Sequence, residues 1–454
     1  VTASEVQTRG AAHTAGASAS AAARRFDPAP LIFFAAALLL YVVRLQVPDT
    51  YVFDEVYHAY TAGQYAIGNA DAYVWNTHAT RPHVAYMWNH PPAGVLLIAA
   101  GIRVFGDNSF GWRISSALFG ALGIAIAYLL ALKLTRRRDA AILTAILLLC
   151  DQLYFVQSRI GMLDIFGVVF MTCAFYAFHS YLEDPPERAA GSLMRTGLFL
   201  GLAVATKWNA AYAAILIGIV VIVRAMIFGF AARRAGGDAV TARAAWRTHA
   251  WATPVGLIAI PAFVYFAAYV PFFLTGHTGA QWVELQKQIF YYHSRLRDVH
   301  SYQSKWWTWP FTVRPVWYHV TYTPGHAAHI YANGSTLLYW AFLPAVFWIC
   351  AWWWKEHRAS VAVLALGFFG QWLPWMLVPR ISFIYHFLPA AVFGTIAVAW
   401  VLSELMRMSR WGRAFAVVYV ALVALSFVYF YPIRAAVPLT PHQVGQRMWA
   451  PTWH

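Results

Sequence analysis

The sequence predicts an all-α, polytopic membrane protein, and three observations carry that reading. Hydrophobic residues make up 60% of the 454 and charged residues only 11%, with a mean hydropathy of +0.52, whereas a soluble domain carries roughly 25% charged residues. Apolar runs approaching the ~20 residues needed to cross a ~30 Å hydrocarbon core recur along the chain. Lys plus Arg total 33 against 18 Asp plus Glu, and the excess lies in short clusters between those runs, as in cytoplasmic loops. The net charge of +15 is therefore read as membrane topology, and no nucleic-acid partner is expected. Cys150, Cys173 and Cys350 fall inside apolar runs, with no disulfide or metal spacing.

Taken in order, residues 1–29 are rich in Ala, Ser and Thr and contain Arg24-Arg25. They read as a disordered cytoplasmic N-terminus ahead of a catalytic transmembrane domain over 30–434. The apolar run that follows is too long for a cleavable signal, so 31–47 is the first span. Further runs lie near 113–133, 140–157, 162–182, 196–209, 210–230, 251–274, 335–354, 360–378, 382–405 and 413–431. The run 92–105 is short for a span and suits a helix lying along the interface. With 92–105 not crossing, the basic clusters at 133–138, 233–247, 355–358 and 407–413 all fall on one side, cytoplasmic by their charge. The count is then about eleven transmembrane helices with juxtamembrane helices in the first outer loop, 48–112. The loop 275–334 and an extracytoplasmic tail, 435–454, share that outer side with the turns at 157–164, near 207 and at 379–389.

That side holds the residues capable of chemistry. Asp54-Glu55 follows the first span; the pair is either a solvated loop feature or an active-site base able to take a proton from an attacking hydroxyl. In Ser158-Arg-Ile-Gly-Met-Leu-Asp164, Arg159 and Asp164 either pair with each other or orient the acidic pair and substrate. Arg113, Lys207, Arg380 and His386 stand at outer span ends, and several cations around one site suit a phosphate. His90, and Gln303-Ser-Lys305-Trp306 with its following tryptophans, add loop groups for sugar or peptide contact. No zinc spacing, phosphate-cradling glycine loop or Ser-His-Asp signature is present. Without a nucleotide site, an activated sugar would have to arrive on a lipid carrier.

Phe53-Asp-Glu55, His90-Pro-Pro92, Phe110-Gly-Trp-Arg113, Gly201-Leu-Ala-Val-Ala-Thr-Lys-Trp208, Tyr302-Gln-Ser-Lys-Trp306 and Tyr385-His-Phe-Leu-Pro389 occur in an order that resembles the protein O-mannosyltransferase family, specifically its compact actinobacterial-type members. The resemblance runs from about residue 44 to 405. It implies a GT-C type glycosyltransferase fold in a bacterial plasma membrane, with the site facing outward. It further implies inverting transfer of mannose from polyprenyl-phosphate-mannose to Ser or Thr hydroxyls of exported polypeptides, with the export machinery as a candidate partner. Asp54 would be the base, Glu55 an acceptor-orienting partner, and no obligatory metal or other cofactor is implied. Eukaryotic members carry a large sugar-binding β domain in the long outer loop, which 275–334 is too short to contain. Two other readings stay open: transfer of another lipid-linked sugar or to a glycolipid, and a transporter. The latter is disfavoured because no repeated halves are visible and the carboxylates lie at an interface rather than midspan.

Overall fold

The computed structural model describes residues 26–234 and 239–453; the disorder expected over 1–29 falls, up to residue 25, outside them. The helices run in order α1 (Ala29–Val42), α2 (Glu55–Ala66), α3 (Ala93–Phe105), α4 (Ser109–Thr135), α5 (Arg138–Leu149), α6 (Gln152–Gln157), α7 (Asp164–Glu183), α8 (Ala190–Thr206), α9 (Ala211–Arg234), α10 (Ala239–Pro254), α11 (Ile260–Ala268), α12 (Val270–Leu274) and α13 (Gly279–Arg295). A hairpin of β1 (Val316–Thr323) and β2 (His326–Ala332) follows, then α14 (Thr336–Trp340), α15 (Phe342–Trp353), α16 (Arg358–Trp372), α17 (Leu388–Met408), α18 (Arg410–Arg434), β3 (Pro438–Leu439) and α19 (Pro441–Gly445).

Among the described residues, eight helices are long and apolar enough to cross a membrane. The predicted spans at 31–47 and 196–209 fall on the shorter apolar helices α1 and α8. The one at 140–157 breaks between α5 and α6, where the Asp151 side chain accepts from the Leu153 N–H and restarts the chain as a new helix. The short run at 92–105 is the 13-residue helix α3, packed on α2 and α4. Asn108 caps α4 by accepting from the Phe110 and Gly111 N–H groups. At about 1.5 Å per residue, the 27 residues of α4 carry the chain from Arg113 on one face to the Arg136–Arg138 cluster on the other. Central to the bundle is α17, buried on nearly every side among α5, α15, α16 and α18.

Two segments depart from the all-helical, open-loop expectation. Val316-Trp-Tyr-His-Val-Thr-Tyr-Thr323 is rich in β-branched and aromatic residues, the composition of a strand, and it pairs antiparallel with β2 from Val316↔Ala332 to Thr323↔His326. The tail after 434 folds back onto that hairpin: β3 pairs with β2, and buried Trp453 donates its indole N–H to the Thr312 carbonyl at 2.9 Å. The tail closes the small sheet into a cap over the bundle's end.

Helix α8 delivers Lys207, its C-terminal flanking residue, and its position depends on one close approach. A Cβ built on Gly197 would lie 1.8 Å from the Gly256 carbonyl oxygen, so α8 sits against the irregular turn 255–259 with no room for a methyl. Gly197→Ala is expected to cost about 1–3 kcal/mol through forced separation of these helices. A lowered unfolding temperature of the detergent-solubilised protein is the check, and a melt equal to the parent's would refute the packing argument.

Candidate active site

The loop 48–112 is pinned before its helix begins. Glu55, fully buried at the first position of α2, accepts from the Val52 N–H at 2.8 Å, the Gly161 N–H at 2.7 Å, and Nε and an NH2 hydrogen of Arg113 at 2.8 Å each. Arg113 spends its other donors on the carbonyls of Leu45, Pro48 and Thr50. A guanidinium has five N–H donors, and all five are used. Every hydrogen-bonding group of this pair is engaged within the protein, so the phosphate role expected of Arg113 and the acceptor contact expected of Glu55 would each have to displace one of these bonds.

What the pair positions is Asp54. Phe53 takes a left-handed backbone conformation, φ +50°, which a non-glycine residue holds only when its surroundings enforce it. Its ring stacks on Tyr318 of β1 at 4.5 Å and meets Phe383 and Tyr385 edge-on. Asp54 then caps α2, its carbonyl accepting from the Tyr57 and His58 N–H groups. Its side chain makes no hydrogen bond among the described residues. Half-buried yet closely surrounded by protein, the carboxyl has its pKa raised to about 6, by burial first, against the pull of Lys207 and with the help of Asp164.

Asp164 opens α7 and receives a 2.8 Å ion-pair hydrogen bond from Lys207 Nζ, while Lys207 also sits over the Tyr385 ring at 5.4 Å. The alternative partner, Arg159, points elsewhere, donating to the Val43 carbonyl at 2.8 Å and lying over Phe155. From Lys207 a cavity of about 240 Å³ extends along the surface, lined by His90, Lys207, His293, Arg380 and His386 with aromatic walls from Trp208 and Trp375. The Arg380 guanidinium donates to Nδ1 of His293, whose Nε2 donates to the Asn89 carbonyl at 2.7 Å. His293 is thereby held as a neutral ring, and burial and the Arg380 charge lower its pKa to about 4. Burial first, then Lys207 and His293, hold the pKa of His90 well below the usual histidine range.

Of the residues expected from sequence, Asp54, Asp164, Lys207, His90, Arg380, Tyr385 and His386 converge. Glu55 and Arg113 support them from behind, and Arg159 faces away. Gln303, Lys305 and Trp306 line a separate cleft of about 550 Å³ that adjoins the cavity at Trp375 and Arg380. His58 and His293 were passed over. The first lies one turn beyond Asp54 on the same helix face, buried with Nδ1 3.2 Å from the Gly161 carbonyl. The second ends the amphipathic helix α13, so only the fold brings it to the cavity. Beyond Trp208 an apolar groove of about 650 Å³ runs between α8 and α11, past Leu200, Ile215, Ile258 and Phe266.

Comparisons with known proteins place the chain in a family and a fold. Residues 31–276 match the family described as dolichyl-phosphate-mannose-protein mannosyltransferase, and residues 278–453 match the C-terminal four-span region of protein-O-mannosyltransferase. The polyprenol-phosphate-mannose–protein mannosyltransferase of Mycobacterium tuberculosis is 26% identical over 465 residues, 89% of this chain and 87% of that protein. Its counterpart in Corynebacterium glutamicum is 25% identical over 80% of this chain and 81% of its own length. Among solved structures, the Saccharomyces cerevisiae protein O-mannosyltransferase Pmt1-Pmt2 complex bound to the sugar donor superposes with a TM-score of 0.74 at 15% identity, covering 94% of this chain and 92% of that one. ArnT from Cupriavidus metallidurans bound to undecaprenyl phosphate gives 0.54 at 17% identity, covering 88% and 70%. The fold is that of the GT-C glycosyltransferases.

The Glu55–Arg113 pair generates a stability prediction. Removing one partner of a buried ion pair strands the other and costs about 3–5 kcal/mol, so Arg113→Ala should sharply lower the unfolding temperature. Arg113→Lys should recover little, because an ammonium cannot supply the five-donor fork. Thermal melts of both variants in detergent test this, and an unchanged melt for either contradicts it.

Proposed function

The chain belongs to the dolichyl-phosphate-mannose-protein mannosyltransferase family, and from that premise we propose that it transfers mannose from a polyprenyl-phosphate carrier to Ser or Thr hydroxyls of exported polypeptides, at the extracytoplasmic face of a bacterial plasma membrane. The observation that carries this reading is the juxtaposition of a lone carboxylate, Asp54, with a cation-lined cavity that shares Lys207 with it. One supplies a base for the acceptor; the other accommodates the leaving phosphate.

In the proposed step the acceptor oxygen attacks the anomeric carbon while its proton passes to Asp54. The bond from that carbon to the phosphate oxygen breaks, and its electron pair leaves on the phosphate. A single displacement inverts the anomeric configuration. Lys207 and Arg380 balance the charge that accumulates on the carrier phosphate, where fixed cations in a water-poor site act most strongly. The neutral rings of His90 and His386 offer N–H groups without adding charge. Asp164 holds Lys207 in place, and its negative charge keeps Lys207 from lowering the Asp54 pKa further. The apolar groove beyond Trp208 provides for the prenyl tail, and the cleft containing Gln303, Lys305 and Trp306 provides for the polypeptide.

Asp54→Asn is expected to abolish transfer of labelled mannose from polyprenyl-phosphate-mannose to a Ser/Thr-rich peptide while leaving membrane insertion intact. Lys207→Met and Arg380→Met should lose donor turnover as well. A base must be deprotonated to act, so kcat/KM should fall about tenfold per pH unit below a midpoint near 6. Near-wild-type transfer by Asp54→Asn, or a flat profile through that range, would overturn the assignment. Label appearing only in lipid would favour a glycolipid product instead.

A further inference from the structure

On the membrane face opposite Asp54, a second cavity of about 240 Å³ opens where five helix termini meet. It is bounded by Thr135 at the end of α4, Arg137 before α5, Trp353 at the end of α15, His357 before α16, and Trp400, Glu404 and Arg407 on the last turns of α17. Its inner wall is aromatic: Trp353 and Trp400 stack at 6.2 Å, and the His357 ring lies 5.3 and 6.0 Å from the two indoles. Arg137, nearly buried, gives one N–H to Glu404. Its remaining side-chain donors have no partner among the described residues, and neither does Arg407, which is exposed. Buried Trp400 likewise donates its indole N–H to no group among them.

We propose that this cavity binds the phosphodiester head group of an anionic membrane phospholipid. Two arginines against one glutamate leave the lining with one net positive charge, and an Arg fork matches phosphate oxygens in both spacing and charge. The indole faces supply a surface for the glycerol and ester carbons, and the Trp400 N–H a donor for an ester oxygen. Its setting among exposed tryptophans at the helix ends points to a lipid rather than a soluble phosphate. Exposed Trp352, Trp354 and Trp411 stand around it, at 74%, 50% and 73% exposure, forming the aromatic belt found at the head-group level of a bilayer. Lys355 and Arg358 flank the mouth, offset by Glu356 alone on that turn.

Native mass spectrometry of the full chain, released from micelles containing equal amounts of phosphatidylglycerol and phosphatidylcholine, tests the site. The parent should retain phosphatidylglycerol over phosphatidylcholine by about tenfold, a difference of about 1.4 kcal/mol. Arg407→Gln, a change at an exposed position that should not disturb folding, should remove most of that preference. Arg413→Gln, exposed on the same basic face but outside the cavity, should leave it intact. Equal losses in both variants would reduce the effect to diffuse surface charge and overturn the site. So would the absence of any preference in the parent, or displacement of the retained lipid by millimolar inorganic phosphate.

Discussion

The arrangement of the candidate site depends on one buried ion pair, Glu55 with Arg113. The pair ties the start of α2 to the carbonyls of Leu45, Pro48 and Thr50 ahead of it and to the Gly161 N–H of the turn before α7. Three separate chain segments thus meet at one carboxylate. Burying two charges repays the desolvation cost only when every donor and acceptor is satisfied, and here the count closes on the arginine side with no donor left over. The left-handed turn at Phe53 follows from this anchoring, since the chain must reverse sharply to place Glu55 inward and Asp54 toward the site. Stacking on Tyr318 holds the strained residue in place, so the β hairpin also helps to orient the acid next to it.

Adjacent in sequence, the two acids have opposite fates for a physical reason. Glu55 is surrounded by donors that commit both of its oxygens. Asp54 has no donor and sits in a partly desolvated pocket, which raises its proton affinity toward neutrality. A base works best with a pKa near the working pH, and a carboxylate left without hydrogen bonds also keeps its lone pairs available. Asp164 and Lys207 refine that balance. As an ion pair they present Asp54 with nearly cancelling charges, so burial sets the titration while Lys207 remains aimed at the cavity.

The parts of the fold governed by solvent were legible in the sequence. Apolar run length located the helices, and the sidedness of arginine clusters placed Asp54, Asp164, Lys207 and Arg380 on a common face. Pairing was not legible. Five residues apart, Arg159 and Asp164 invite a local ion pair, but the turn between them sends one side chain to Val43 and the other to Lys207. Which arginine met which acid was decided by helix packing, and a sequence pattern carries no distance. The strand composition of 316–323 was present but masked by its setting, since hydropathy reads an aromatic strand and an interfacial segment alike. His293 was hidden for a similar reason: it reaches the cavity only because α13 lies back across the outer surface.

On the proposed assignment, the cavity beside Asp54 meets a conflict built into any site that must hold a phosphate beside a base. Cations close enough to stabilise the leaving phosphate also lower the pKa of a nearby carboxylate, and a base with too low a pKa has little drive to accept a proton. Under that assignment the two demands are separated in space and in protonation state. Lys207 is shared but paired with Asp164, whereas Arg380 stands further along the cavity, oriented by a hydrogen bond to the neutral ring of His293 and keeping its full charge. The remaining polar groups facing the cavity include the imidazoles of His90 and His386, which can donate a hydrogen bond to phosphate without contributing a full charge. Histidine is the residue that gives a site near the bilayer surface hydrogen-bonding capacity without the solvation cost of another buried cation.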